Sequence, residues 1–227
     1  MNFLSECLYC SGYVYLLSDG RVKCSKCAKK ISLQKANKII MLIECFVNDE
    51  SALSVSKRAN ISYTSVWKYY ETFRMLCARI CEDEYEKVRS SSCEYEEYYY
   101  LENSKKRKRE AVFDAHNFLT FDYNNHIYTL LMQSLKQYKN QFIKDNVEDA
   151  YIDEFNKFKR TSRIIKVSKY FNNIVKFWKY FEGAILKYKG VCPESFVYFL
   201  KECEFKYNHK KDEAIDLLIE QFFKDNR

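Results

Sequence analysis

Four cysteines at the head of the chain form two Cys-x-x-Cys pairs, Cys7/Cys10 and Cys24/Cys27, separated by 13 residues. Two sulfurs of one tight turn can reach the same ion, and four thiolates make the tetrahedral set that zinc takes in a closed structural site. A closed site has no open coordination position, so its chemistry is the stabilisation of a small fold and not catalysis. Disulfides, or four unrelated thiols, are the plain alternatives. A 227-residue chain has no need of disulfide staples, and no basic, apolar, small-residue leader precedes Cys7. A reducing, intracellular setting is therefore expected, cytoplasm and nucleoid or nucleus according to host. Cys45, Cys77, Cys81, Cys93, Cys192 and Cys203 lack this spacing and read mostly as small core residues.

The segment that must fold the two pairs together is Gly12–Gly20, strand-like residues closed by an Asp-Gly turn signal, as the hairpin of a zinc ribbon requires. After it, Ser32 can cap a helix to about Val47, with Ile39, Ile40, Ile43, Phe46 and Val47 on one face. A short helix from Ser54 stops at Asn60, a residue that tolerates a left-handed turn. Ser62 then caps a third helix through Arg74. Three helices with a tight turn between the last two make a helix-turn-helix, in which Val66, Tyr70 and Phe73 face the core. Tyr63, Thr64, Ser65 and Lys68 would then face outward, where, with Arg58 of the preceding helix, they can reach base edges or phosphates of double-stranded DNA. The same pattern also suits an ordinary three-helix packing unit.

From Glu94 onward the pattern becomes strand-like: Glu94–Leu101, Ala111–Phe121, and His126–Met132 after an Asn124-Asn125 turn. A helix from about Ser134 to Lys144, a strand at Ala150–Asp153, and helices through Trp178 to Lys189 and from Glu194 to Tyr207 follow. Strands, helix and strand imply an α/β domain with a central mixed sheet. The resulting plan is α+β and multidomain, with residues 1–31 as a zinc ribbon, 32–90 as the helix-turn-helix, and 91–227 as the α/β domain.

Aromatic residues make up 17% of the chain, enough to build a core despite 30% charged residues, which argues against disorder. The longest apolar run, around Ile39–Val47, is too short to cross a bilayer, so no membrane partner is expected. A formal charge of +7 permits a polyanionic partner. It is concentrated in the block Lys105, Lys106, Arg107, Lys108 and Arg109, and in six basic residues between Lys157 and Lys169. Both stretches can add phosphate contacts, although a basic run by itself is commonly a solvated loop.

This order of parts resembles the DDE transposases of the Merlin type and their bacterial insertion-sequence relatives, which carry a zinc ribbon, a helix-turn-helix and a ribonuclease-H-like catalytic domain. The resemblance rests on Ile61–Trp67, Tyr151–Phe155, Phe177-Trp178 with Lys187–Gly190, and the closing string Leu200–Asn208. It implies three carboxylates around two divalent ions, Mg²⁺ or Mn²⁺, that activate a water or a DNA 3′-hydroxyl. Glu96 falls at the first position, where the family has aspartate, and Asp153 at the second. Val175 stands at the third and cannot ligate a cation. Glu182, two turns further along the same face, is displaced by about 10 Å. Tyr170 stands near a usual histidine, and residues 102–109 replace a glycine-rich loop. The resemblance thus implies a DNA-binding protein with impaired or lost strand transfer. An active transposase acting at terminal repeats and a zinc-ribbon module that binds protein stay open as alternatives, and a homo-oligomer is compatible with each.

Overall fold

The computed structural model describes residues 6–101, 111–138, 164–166, 172–188 and 193–225. They divide into two compact units, one formed by the chain up to Glu82 together with the segment from His209, the other by Asp83–Asn208. The architecture is α+β, with a small N-terminal sheet, a larger second sheet and six α-helices among the described residues.

In the first unit, β1 (Val14–Leu16), β2 (Arg21–Cys24) and β3 (Lys30–Ser32) form an antiparallel meander. The β1–β2 turn depends on Gly20, whose φ of +76° is one that residues with a side chain rarely adopt. Asp19 braces the turn by accepting from the Arg21 amide at 3.0 Å. Helix α1 (Leu33–Val47) follows at once and buries Ala36, Ile39, Leu42, Ile43, Cys45, Phe46 and Val47. Ile40, expected on that face, is only half-buried. Ser32 holds the extended N-cap conformation, yet its side chain makes no capping bond.

Helix α2 (Ala52–Ala59) starts ahead of the expected Ser54, because Ser51 is the cap and accepts from the Ser54 amide at 3.1 Å. Asn60 ends it in the left-handed conformation, φ 50° and ψ 46°. Helix α3 (Tyr63–Val88) runs well past the expected end at Arg74. No glycine or proline interrupts it, and Leu76, Cys77, Ile80 and Cys81 continue its buried stripe. Ser91 closes it, donating from both its amide and its hydroxyl to the Val88 carbonyl.

A last helix, α6 (Lys211–Asp225), also belongs to this unit and buries Ala214, Leu218, Ile219, Phe222 and Phe223. Edge-on aromatic contacts join the pieces: Phe46 to Phe73 at 5.6 Å, Phe73 to Phe222 at 5.9 Å, and Tyr9 to Phe223 at 5.5 Å.

The second unit is built on a sheet of order β6-β5-β4-β7, from β4 (Glu94–Tyr100), β5 (His116–Tyr123), β6 (His126–Leu131) and the short β7 (Ile164–Lys166). Every pair among the described strands is antiparallel, which departs from the expected mixed sheet. The strand expected from Ala111 begins only at His116, since Ala111–Asp114 forms a 3-10 turn. Asn124 and Asn125 do turn the β5–β6 hairpin, with φ of 54° and 73°, the doubly left-handed form that matches strand twist. Leu135–Tyr138 is a single 3-10 turn where a helix from Ser134 was expected. The remainder of that helix and the strand at 150–153 lie outside the described residues.

Helices α4 (Asn173–Ile185) and α5 (Phe196–Asn208) complete the unit. Tyr98, Phe118 and Ile127 of the sheet form a core with Ile174, Val175, Phe177, Trp178, Phe181 and Ile185 of α4, and with Phe196, Leu200 and Cys203 of α5. Alternation along β4 puts Glu96, Tyr98 and Tyr100 on the helix-facing side.

Candidate metal centre and carboxylate site

The four N-terminal cysteines converge, with all four sulfurs within 4.8 Å of one another. Cys7 Sγ lies 3.7 Å from Cys27 Sγ, and Cys10 Sγ lies 3.5 Å from Cys24 Sγ. Zinc–sulfur bonds of about 2.3 Å at tetrahedral angles require sulfur pairs about 3.8 Å apart, so the set fits zinc. Local chain geometry explains the convergence. Each knuckle folds its amides onto a sulfur: Tyr9 N–H on Cys7 Sγ at 3.4 Å, and Lys26 and Cys27 N–H on Cys24 Sγ at 3.3 and 3.4 Å. Ser11 and Ala28, one residue beyond each pair, turn the chain with φ of 53° and 59°. A Cβ on Gly12 would lie 2.9 Å from Lys26 Cβ and 3.2 Å from Cys24 Sγ, so only glycine lets the first strand pass this close.

Burial pushes the Cys7 thiol up to about 12, while the Cys27 amide, followed by that of Lys26, draws Cys24 down to about 6. A cation shared among the four sulfurs favours thiolate at each of them. Among the described residues, this is the one cluster of three or more potential metal-ligating side chains.

The second expected site is different. On β4, Glu96 Oε1 accepts from Asn172 Nδ2 at 3.2 Å, and Asn172 Oδ1 caps α4 by accepting from the Val175 amide at 3.0 Å. The register thereby places Glu96 beside the first turn of α4, which carries Val175. Glu96 Oε2 is buried, with no hydrogen-bond partner among the described residues. Val175 is buried in the aromatic core and offers only methyl groups. Asp153 lies outside the described residues. Glu182 acts elsewhere along the strand: the Tyr98 hydroxyl, held well above the usual phenol range first by burial, is raised further by the Glu182 charge. The described residues therefore place one of the expected carboxylates, Glu96, beside the α4 turn that carries Val175, and they do not by themselves form a Mg²⁺ or Mn²⁺ site.

On the sheet, Glu96 pairs with Thr120, and Thr120 with Thr129. Trp178 Nε1 donates to Thr120 Oγ1 at 3.1 Å, and Glu204 accepts from the amide and hydroxyl of Thr129. The closing string explains itself here. Lys201 Nζ is 3.1 Å from Glu204, and Lys206 is 2.6 Å from Glu202. Asn208 accepts from the Ile127 amide at 2.9 Å and donates to its carbonyl at 2.7 Å. Glu204 and Asn208 fix α5 against β6, while Lys201 and Lys206 compensate the buried Glu204 and Glu202, roles that sequence reading missed. Buried charges need partners, and Lys and Glu within an otherwise apolar helix were the available signal. Asn172 was missed as well, although an Asn before an apolar helical run is an ordinary cap signal.

Of the residues expected to face DNA, Tyr63, Thr64 and Lys68 are exposed on α3. Ser65 is half-buried and its hydroxyl accepts from Ser62 at 2.7 Å. Arg58 is engaged, 2.6 Å from Glu50 and in contact with Cys45 Sγ. Trp67, not singled out from the sequence, is 43% exposed beside them. Lys105, Lys106, Arg107, Lys108 and Arg109 lie outside the described residues, as does the basic Lys157–Lys169 stretch except for β7. No helix among the described residues is long and apolar enough to cross a membrane.

Comparison with known proteins finds similarity to an uncharacterized transposase-like protein of Haemophilus influenzae, 27% identical over 75 residues. The match spans 32% of this chain and 61% of the relative, less than two thirds of its length. No protein-family model matches, and no solved structure matches. The similarity to transposases is thus distant.

Proposed function

We propose that this protein is a transposase-family DNA-binding protein whose DDE strand-transfer chemistry is impaired or lost. The distant transposase-like similarity supports the descent. The single observation that carries the loss is Val175, apolar and buried beside the Asn172–Glu96 contact, at the position the resemblance assigns to the third ligand. The same juxtaposition of β4 and the first turn of α4 supports a ribonuclease-H-like reading of the second unit. Helices α2 and α3, joined at the left-handed Asn60, act as the helix-turn-helix, with Tyr63, Thr64 and Lys68 toward duplex DNA. The cysteine cluster holds structural zinc and takes no part in chemistry.

An active transposase is the second reading, favoured by the buried Glu96 Oε2, which has no partner among the described residues and so a lone pair for a cation. A cleavage and strand-transfer assay with Mg²⁺ and Mn²⁺, on DNA including the sequences that flank the gene, separates the two. Salt-sensitive binding without products is the expected result. Metal-dependent products abolished by Asp153→Ala would overturn the loss of activity.

A further inference from the structure

The N-terminal sheet has two unlike faces. Val14, Val22 and Cys24 point inward and are buried. The opposite face carries Tyr15, Lys23 and Lys30 side by side, because Tyr15 pairs with Lys23 and Lys23 with Lys30 across the three strands. Tyr13 and Arg21, each two residues from a member of that row, share its face. Tyr13 is 67% and Tyr15 39% exposed. Residues 6–32 hold five basic and two acidic side chains, and Zn²⁺ on four thiolates adds two negative charges, leaving a net charge of +1. Asp19 and Arg21 form an ion pair at 2.6 Å, which occupies one charge of each sign.

From this face we propose a binding surface for a single nucleic-acid strand, distinct from the α3 surface and independent of the transposase reading. Two tyrosines spaced by one pleat repeat, about 6.8 Å, offer successive ring platforms to unstacked bases. Lys23 and Lys30 lie across the strands from them, where a phosphate backbone would run. A duplex keeps its bases stacked and hidden from such platforms, so the unpaired strand is the matching partner. A protein partner fits less well, since lysine is depleted from protein interfaces while two of the three residues in this row are lysine.

The test uses the full-length, zinc-loaded chain and fluorescence anisotropy with a labelled oligothymidylate, alongside a duplex of arbitrary sequence. Tyr13→Ala/Tyr15→Ala should weaken oligothymidylate binding by about tenfold or more, and Tyr13→Phe/Tyr15→Phe should leave it within about twofold, since stacking needs the ring and not the hydroxyl. Lys23→Ala/Lys30→Ala should reduce the salt slope of log K by about 1.4. Unchanged single-strand affinity in the alanine pair at full zinc content would overturn the proposal, as would absence of oligothymidylate binding by the unmodified chain at low salt. Should the alanine pair lose zinc, the lysine pair decides, an unchanged slope being the overturning result. Lys68→Ala reports separately on the α3 surface, through duplex binding.

Discussion

The cysteine cluster and the Glu96 site are both places where side chains converge, and they are assembled in opposite ways. All four sulfurs come from 21 consecutive residues, each pair delivered by its own tight turn. Glu96 instead meets Asn172 and the first turn of α4 across 76 residues of chain, through a strand register and a helix docked on a sheet. A locally encoded site persists if its turns persist. A distributed site depends on every contributor: Val175, beside Glu96, belongs to the buried cluster of Tyr98, Phe177 and Trp178, where a carboxylate would need compensation.

The contrast is broken most severely at the metal. Structural zinc in small modules supplies on the order of 10 kcal/mol, so Cys24→Ser should abolish zinc binding and unfold residues 6–32. Retention of one equivalent of zinc, measured by atomic emission, would refute the ligand set. The second unit should answer only to its own core. Phe181→Ala, at a fully buried position, should cost about 3–5 kcal/mol in urea unfolding of that unit while zinc stoichiometry stays at one. Loss of zinc in this variant would mean that the two regions are not separately stabilised.

Acid should act selectively on the cluster. Metal must displace the proton of Cys7, whose thiol stands at about 12 without metal, so zinc affinity falls as pH falls. Below about 6 Cys24 also holds a proton, and the fall should steepen there. A competitive chelator titration at several pH values checks this, and a flat profile would contradict thiolate ligation.

Two smaller effects sharpen the comparison. Asn172→Ala removes the α4 cap and should cost about 1 kcal/mol, with no change in zinc content. Thermal unfolding followed by near-UV circular dichroism reads it. Lys68→Ala should weaken duplex binding and lower its salt slope by about 0.9, and an unaltered slope would remove Lys68 from the interface.

The same local-versus-distributed division governs what the sequence makes legible. Turn chemistry was readable where one or two residues decide it, as at Asp19-Gly20, Asn60 and Asn124-Asn125. The knuckle spacing likewise gave a cluster that the structure brings together. Helix lengths were less accessible, because ends depend on packing. Residues 75–88 hold no glycine or proline to stop α3, and Leu76, Cys77, Ile80 and Cys81 keep helical spacing, but an end after Arg74 and a continuation look alike until those four are seen to be buried. The start of β5 was misplaced for a related reason: Ala111–Asp114 has strand-like residues and curls into a 3-10 turn instead. Least legible was the polar content of α5. Its charged residues look like a solvated face until the sheet register shows Thr129 and Ile127 opposite them.

Those contacts have a consequence for assembly. β6 ends the described sheet order, and an end strand offers unpaired backbone donors on which a foreign strand can add. Here the Ile127 and Thr129 amides are already taken, by the Asn208 carboxamide and the Glu204 carboxylate. At these two positions a helix side chain imitates a neighbouring strand, so that the outward amides of Ile127 and Thr129 are not open to a foreign strand.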